Sequence, residues 1–584
     1  MNIQSANVLK ILKTESYTNQ RNLAVKTGYS LGAINKALQQ LSREGYIDNK
    51  VHLTPKAENE LCASSPHNAI ILAAGFGMRM VPINMTTPKA LLEVNGERLI
   101  ERLISQLHEA GITDITVVVG FMKESFEYLI DEFGVDLAVN VQYAAFNNLH
   151  SLAMVSSRIH NTYIVPCDIW CASNPFSEFE LYSWYMVSDQ TNPDSNVRVN
   201  RKMELTVTAE GNRMIGISYL KEPEASTVRE KLKLFDADNL HMNSFWEDTL
   251  FEKDRMIVYA KVVNDTGITE INTYEQLREL DSGSSQLKSD AITVITNVFN
   301  CDNSDITDIT VLKKGMTNRS FLFTCKGNQY IMRIPGEGTD KLINRRQEAE
   351  VFKAISGLGL CDDPEYINPD NGYKITRFLK NARTCDPENE EDLKRCMAKL
   401  REFHAMRLEV NHTFDIFGQI ELYESLWQGT PSIYRDYSKT KTNVLSLKPF
   451  IEGMDKVWCL THIDAVADNF LFYDNGTEKE VLQLTDWEYA GMQDPHVDLA
   501  MFCIYSLYSK QECDHLIDLY FEGSCDRSVR AKIYCYIAVC GLLWSNWCEY
   551  KRNLGVEFGE YSLRQYRYAK EYYRYAKELI SAEE

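Results

Sequence analysis

The sequence predicts a multidomain chain. A small helix-turn-helix module is expected over residues 1–62, an α/β domain with a parallel sheet over 67–282, and an α+β domain over 290–584 whose strand-rich lobe precedes a larger helical one. Three observations predict this. The 584 residues amount to about four folding units at roughly 150 residues each. The hydrophobic pattern changes character twice, at the polar joint after Cys62 and at Asp281-Ser-Gly-Ser-Ser-Gln. The composition, 44% hydrophobic and 25% charged, excludes a disordered chain, a collagen-like chain and a coiled-coil rod.

Lys plus Arg is 62 and Asp plus Glu is 82, a net charge of -20. Such acidity argues against a protein that coats nucleic acid or anionic membrane. The charge is uneven: residues 1–60 hold eight Lys or Arg against five Asp or Glu. The fifteen cysteines are scattered singly, and Cys167 and Cys171 have no His cluster beside them. A zinc site is therefore not expected, and a reduced, cytoplasmic protein is. The N-terminus lacks the apolar core of a signal peptide, and the longest apolar stretch, 534–544, is too short to cross a bilayer. No membrane insertion is expected. The oligomeric state stays open.

The first module is expected to hold three short helices and a hairpin. Leu23 and Ala24 share an apolar face, Gly28 supplies a turn, Ser30 stands at an N-cap, and Ile34 and Leu38 continue a helix at i, i+4. The runs Tyr46-Ile-Asp and Val51-His-Leu follow as a small wing. The pattern resembles the winged-helix family, which implies weak DNA contact through residues 1–62. A docking module is the other reading, since Lys36 is the cation on the face expected to meet DNA.

Strand and helix signals then alternate: a strand at Asn68–Ala73, a helix at 98–110, a strand at 112–119, a helix at 122–132, a strand at 136–141, a helix at 151–160 and a strand at 163–166. Such alternation predicts a parallel sheet with crossover helices. Leu72-Ala-Ala-Gly-Phe-Gly-Met-Arg79 follows the first strand directly. Gly75 and Gly77 let the backbone bend around phosphates with N–H groups turned inward. Met80 stands where a dinucleotide fingerprint needs glycine, and Walker A is absent. Arg79 and Lys89, in Thr87-Pro-Lys, are two cations placed to meet a triphosphate and its pyrophosphate.

With these motifs the segment resembles the Rossmann-like sugar-phosphate and phosphocholine nucleotidyltransferases, most of all the CTP:phosphocholine cytidylyltransferases. Asn95-Gly-Glu-Arg-Leu-Ile-Glu, Val119-Gly-Phe-Met-Lys-Glu-Ser-Phe and Asn147-Asn-Leu-His-Ser-Leu carry that likeness. The resemblance implies nucleotide contacts from Leu72, Ala74, Gly75, Gly77, Arg79, Lys89 and Gln142, with Arg79 and Lys89 catalytic. It implies Mg²⁺ on Asp168 and on a late E-I-D segment, here Glu270-Ile-Asn272, where Asn replaces Asp.

Beyond 290 the strands 309–312, 320–325 and 330–334 come first, then a helix at 345–356, a strand at 373–379 and mostly helix, with a hairpin from 470–473 and 481–485. His462-Ile-Asp464 is followed by Asn469, and Asp486 comes seventeen residues later. Asp464 can accept a hydroxyl proton, Asn469 can reach Mg²⁺, and Asp486 can bridge metal to phosphate. The segment resembles the choline kinase branch of the aminoglycoside phosphotransferase-like kinases, a bilobal protein-kinase-like fold. The likeness rests on Lys314-Gly-Met-Thr-Asn-Arg-Ser-Phe as a phosphate loop, Tyr330-Ile-Met-Arg-Ile-Pro-Gly, and Asp486-Trp-Glu-Tyr-Ala followed by Asp498-Leu-Ala. It implies nucleotide contacts from Thr317, Asn318 and Arg333, with Glu348 pairing the arginine. Two departures are Ile463, where the family often has Asn, and Lys314 in place of a glycine.

A quaternary ammonium offers no N–H donor, so its recognition needs aromatic faces and carboxylates. Trp544 and Trp547, with Glu488 and Tyr489, are the expected choline contacts. Tyr561, Tyr566 and Tyr568 are expected to be packing residues. ATP, CTP, choline and phosphocholine are the implied partners and Mg²⁺ the implied cofactor. Together they point to CDP-choline synthesis. The alternatives are the same chemistry on ethanolamine or a sugar phosphate, and a ligand-sensing regulator that uses the winged helix.

Overall fold

The computed structural model describes residues 1–584 apart from 78–79, 81, 84–86, 313–317, 337–342, 475, 477–479, 524, 554–555, 557 and 582–584. The chain divides into two compact units. One comprises Met1–Asn297 with Cys301–Val311, the other Val298–Asn300 with Leu312–Glu584.

The first unit opens with helices Ile3–Thr14, Gln20–Thr27 and Leu31–Arg43. Gly28 ends the second helix in the left-handed region at φ 70°, and Ser30 accepts from the Ala33 N–H to start the third. Val8, Leu9, Leu23, Ile34, Leu38 and Leu41 form its small core. The wing reduces to a single bridge between Ile47 and Leu53. A fourth helix, Pro55–Ala63, follows it; the sequence reading expected only a hairpin and a joint there.

This module packs on the rest of its unit. Leu181 joins its core. Lys10 Nζ lies 2.8 Å from Glu180 Oε2, and Tyr182 donates to Asn7 Oδ1 at 2.9 Å. Glu180 is only 2% exposed and also accepts from Tyr163 Oη at 2.9 Å. Against the cost of burial, Lys10 and then Lys261 hold its carboxyl below the ordinary range.

The large sheet of this unit is mixed. Strands Asp136–Val139, Ile115–Val119, Asn68–Ala73 and Thr162–Pro166 run parallel side by side. Register sets Ile71 between Val117 and Val165. Side chains alternate across a strand, so neighbours face opposite layers. Ile71, Val117 and Val165 meet Ile100, Leu103, Ile104 and Leu107 of the helix Leu99–Glu109. Ile70, Val118 and Ile164 meet Leu149 and Leu152 of Asn148–Met154 and Val228 and Leu232 of Glu224–Asp236. The expected helix at 122–132 is a 3-10 turn, Lys123–Phe126, and one short helix, Tyr128–Phe133. The other expected crossover helix shortens to Asn148–Met154. Beyond the parallel strands the sheet turns antiparallel through Gly211–Leu220, which pairs with both Thr162–Pro166 and Trp184–Asn192.

In the second unit, strands Asn318–Cys325, Asn328–Pro335, Lys374–Arg377 and Tyr366–Ile367 pair antiparallel in that order. The helix Arg345–Ile355 buries Val351, Phe352 and Ile355. The remainder is helical, apart from short hairpins. Phe470–Tyr473 pairs with Val481–Leu484, and Cys459–Thr461 with Gly491–Gln493. Its longest helix, Arg527–Asn553, carries Trp544 and Trp547 and packs along Glu560–Ser581. Gly541 makes that approach close: a Cβ there would lie 2.8 Å from Gln565 O and from Tyr568 Cβ.

Gly541→Ala should therefore force the two helices apart. Overpacking of this kind costs about 1–3 kcal/mol, and thermal unfolding of the second unit should move to lower temperature.

Candidate active sites

In the first unit the loop after Asn68–Ala73 meets Lys89. Gly77 sits at φ 63°, and a Cβ there would come within 3.3 Å of Lys89 Cβ. Glycine thus serves both the turn and the close approach. Gly120 is tighter still, 2.8 Å from Ala74 O for an added Cβ. Leu72 is half-buried and Ala74 buried, while Gly75 and Gln142 are exposed. Arg79 lies outside the described residues.

Lys89 Nζ donates to Asp168 Oδ2 at 2.5 Å and to Asn272 Oδ1 at 2.7 Å. Two short strands, Ile169–Cys171 and Ile268–Glu270, pair antiparallel and bring together groups more than a hundred residues apart. The Ile271 N–H donates to Asp168 O at 2.9 Å. The Asn272 N–H donates to Gln276 Oε1 of the capping box that starts Tyr274–Leu280. Glu270, which opens the Glu270-Ile-Asn272 segment, joins the group: burial and then the Asp168 charge raise its carboxyl above the ordinary range. All three acids and amides offer oxygen. Such a set suits Mg²⁺, which takes one or two carboxylates, substrate phosphates and water. Among the described residues no cluster of three or more His, Cys, Asp or Glu side chains could hold a metal by itself.

In the second unit the loop after Cys459–Thr461 is held by Asp498, which is fully buried. Its carboxylate accepts the Ile463 N–H at 2.7 Å and the His462 N–H at 3.1 Å, with His404 Nε2 at 3.0 Å. Ile463 sits at φ 70° and Asp486 at φ 64°. A β-branched residue in the left-handed region is strained by about 1–3 kcal/mol. Asn fits that region better, and here the pinned loop holds Ile463 in it. Burial pushes His462 down to about 4, so its ring is neutral and Nε2–H donates to Thr485 O at 2.9 Å.

Asp464 heads a cavity of about 830 Å³ that also receives Asn469, Asp486, Glu488, Tyr489, Trp544 and Trp547. Asn469 Nδ2 donates to Asp464 Oδ2 at 3.1 Å. Burial, then Asp486 and Glu488, push the Asp464 carboxyl up to about 8. Asn469 and Asp486 are oxygen donors on one wall and fit Mg²⁺ as the first site does. Trp544 meets Tyr489 edge-to-face at 5.9 Å and Trp547 at 5.4 Å. Tyr505, Phe558 and Tyr561 complete the aromatic lining. Tyr561 packs on the core as expected and also reaches the cavity, while Tyr566 and Tyr568 stay in the core. Tyr505 and Phe558 had no sequence signal beyond being aromatic.

A second cavity, about 310 Å³, adjoins the first at Ile331 and Asp486 and is walled by Lys374, Thr376, Phe378, Leu379 and Leu471. Between them lies a buried ionic network. Arg333 donates to Glu348 in fork geometry at 2.5 and 2.7 Å. Arg345 and Lys374 reach the same carboxylate at 3.2 and 3.1 Å. Against the cost of burial, Lys374 and the two arginines hold Glu348 far below the usual carboxylate range. Glu488 accepts from Asn318 Nδ2 at 2.9 Å and lies 3.2 Å from Arg345 Nη1. It thus serves the cation network as well as the cavity wall. Thr317 and Lys314 lie outside the described residues.

Known protein families match three stretches of the chain. Residues 1–48 match the winged helix-turn-helix DNA-binding model, 69–177 the MobA-like NTP transferase domain, and 309–519 choline/ethanolamine kinase. The choline-phosphate cytidylyltransferase of Streptococcus pneumoniae is 31% identical over 36% of this chain and 96% of its own. The chain belongs to the choline-phosphate cytidylyltransferase family. The 2-aminoethylphosphonate cytidylyltransferase of Lancefieldella rimae is 30% identical over 37% of this chain and 92% of its own. The LicA protein of Haemophilus influenzae is 27% identical over 43% of this chain and 76% of its own. This cytidylyltransferase-family chain is an enzyme that joins a nucleotidyltransferase to a choline kinase-type domain, with a winged helix-turn-helix ahead of both. Among its described residues no helix is long and apolar enough to cross a membrane.

Asp498→Asn would leave one of the loop's buried N–H groups without its acceptor. A loss of about 1–3 kcal/mol is expected, read as a lower unfolding midpoint of the second unit together with a fall in its turnover.

Proposed function

We propose that the chain makes CDP-choline in two steps, phosphorylating choline with ATP and then transferring CMP from CTP to phosphocholine with release of pyrophosphate. The observation that carries this reading is the 830 Å³ cavity, where Tyr489, Trp544 and Trp547 stand beside Asp464, Asp468 and Glu488. Aromatic faces and carboxylates are what a trimethylammonium group can use. Working modules at 1–62, 67–282 and 290–584 are part of this reading.

In the kinase step Asp464 faces the choline hydroxyl and takes its proton as the oxygen attacks the γ-phosphate. The Asp464 carboxyl would need its proton removed first, which the neighbouring positive charge of a bound metal favours. Asn469 and Asp486 would hold that Mg²⁺, and Asp168, Asn272 and Glu270 the one in the transferase. Bound there, Mg²⁺ neutralises phosphate charge. Asp464 aligns the hydroxyl, and Arg333 fixes the nucleotide while Glu348 fixes Arg333. In the transferase, the Gly75–Gly77 turn cradles the phosphates, and Lys89, with Arg79, meets the charge developing at the α-phosphate. Fusion raises the local concentration of the intermediate near its second site.

A second reading concerns the CMP acceptor. A relative of nearly equal similarity is a 2-aminoethylphosphonate cytidylyltransferase, so a primary ammonium on a phosphonate competes with phosphocholine at the transferase. Incubation with choline, 2-aminoethylphosphonate, ATP, CTP and Mg²⁺, with products read by mass, should give phosphocholine and then CDP-choline. Phosphocholine alone, with CMP transfer to aminoethylphosphonate instead, would replace the acceptor in this reading.

Lys89→Ala should cut pyrophosphate release by at least about a hundredfold, the usual cost of losing one charge-stabilising donor, with kinase turnover unchanged. Trp544→Ala and Trp547→Ala should each raise the choline KM by about tenfold, at about 1–2 kcal/mol per cation–π face, and leave the ATP KM in place.

A further inference from the structure

We propose that Lys374 is a second cation for the nucleotide phosphates, reaching them from the inner cavity while Arg333 reaches them from the outer one. The proposal rests on reading the second unit as an ATP-dependent kinase. No sequence motif marks Lys374; its place in the fold does. Strands Asn328–Pro335 and Lys374–Arg377 pair so that Arg333 and Lys374 are direct cross-strand partners. Two like charges in that position repel. Glu348 lies between them and accepts from both.

The two cations spend their donors differently. Both terminal nitrogens of Arg333 are engaged, with Glu348 and with Gly372 O. Lys374 has three ammonium protons, and among the described residues one hydrogen bond goes to Glu348, with the ammonium 4.5 Å over the Phe352 ring. The residue is 8% exposed, and it lines the inner cavity together with Asp486. Burial and then Arg333 lower its pKa, against the pull of Glu348 and Asp486. A dehydrated ammonium with donors to spare, beside the residue that would carry metal to phosphate, is placed for a polyphosphate rather than for Glu348 alone. Two carboxylates, Glu348 and Glu488, serve three cations, Arg333, Arg345 and Lys374, and the third cation's charge is left for an anionic ligand to meet.

The test compares ADP with adenosine by calorimetry on the full chain, for the wild type, Lys374→Met and Lys374→Arg. Adenosine fills the same cavity without phosphate charge. Loss of one charge-assisted hydrogen bond should weaken ADP by about tenfold or more in Lys374→Met and leave adenosine within about twofold. Lys374→Arg should keep most of the ADP affinity. Equal weakening of ADP and adenosine would make Lys374 a support for Glu348 and overturn the proposal, as would an unchanged ADP affinity. A wild type that binds ADP yet phosphorylates neither choline nor ethanolamine would remove the amine from the functional reading while the Lys374 comparison still decides its own question. A wild type that binds neither nucleotide nor nucleoside would take both down.

Discussion

The kinase-type unit depends on one buried carboxylate. Asp498 gives its oxygens to two consecutive backbone N–H groups and to His404, and so holds a loop in a conformation that Ile463 resists. A charge-assisted acceptor in a dry site outweighs the strain of one left-handed isoleucine. Everything the loop presents follows from that hold. Asp464 reaches the cavity, Asn469 lies against it, and His462 is turned to Thr485 O as a neutral donor. Hydrogen bonds, not packing alone, aim the loop.

Charge is arranged the same way elsewhere, with carboxylates buried only where cations or donors meet them. Glu348 is surrounded by Arg333, Arg345 and Lys374, and Glu488 by Asn318 and Arg345. In the transferase, Lys89 lies between Asp168 and Asn272. Asn272 lowers the negative charge of that group by one relative to the E-I-D pattern. The overall charge of -20 is therefore no guide to either site, where Arg and Lys meet carboxylates at short range.

Much of this architecture is legible in the sequence. The loop after the first strand, the spacing of Asp464, Asn469 and Asp486, and the Gly28–Ser30 turn are local patterns whose backbone geometry follows from a few residues. The crossover strands are legible because each reads as a short apolar run. What escapes is assembled from distant segments. The pairing of the two three-residue strands that brings Glu270 and Asn272 to Asp168 has no local signal. Tyr505 and Phe558 look like core aromatics until three helices surround them. The antiparallel strand Gly211–Leu220 carries no signal that it will pair with Thr162–Pro166. Long-range pairing depends on which surfaces meet, and local periodicity does not record that.

The contact between Lys10 and Glu180 has a consequence for dissecting the chain. The acid is nearly inaccessible, and its nearest cation comes from the first helix. A transferase expressed from the joint onward inherits that carboxylate without Lys10, beside the Tyr163 hydroxyl and a more distant Lys261, 3.9 Å away. Tyr163 stands on the strand that leads to Asp168. The boundary at the polar joint is a boundary of sequence pattern, while the solvation of one acid runs across it, so a fragment cut there needs Glu180 neutralised to match the protein it came from.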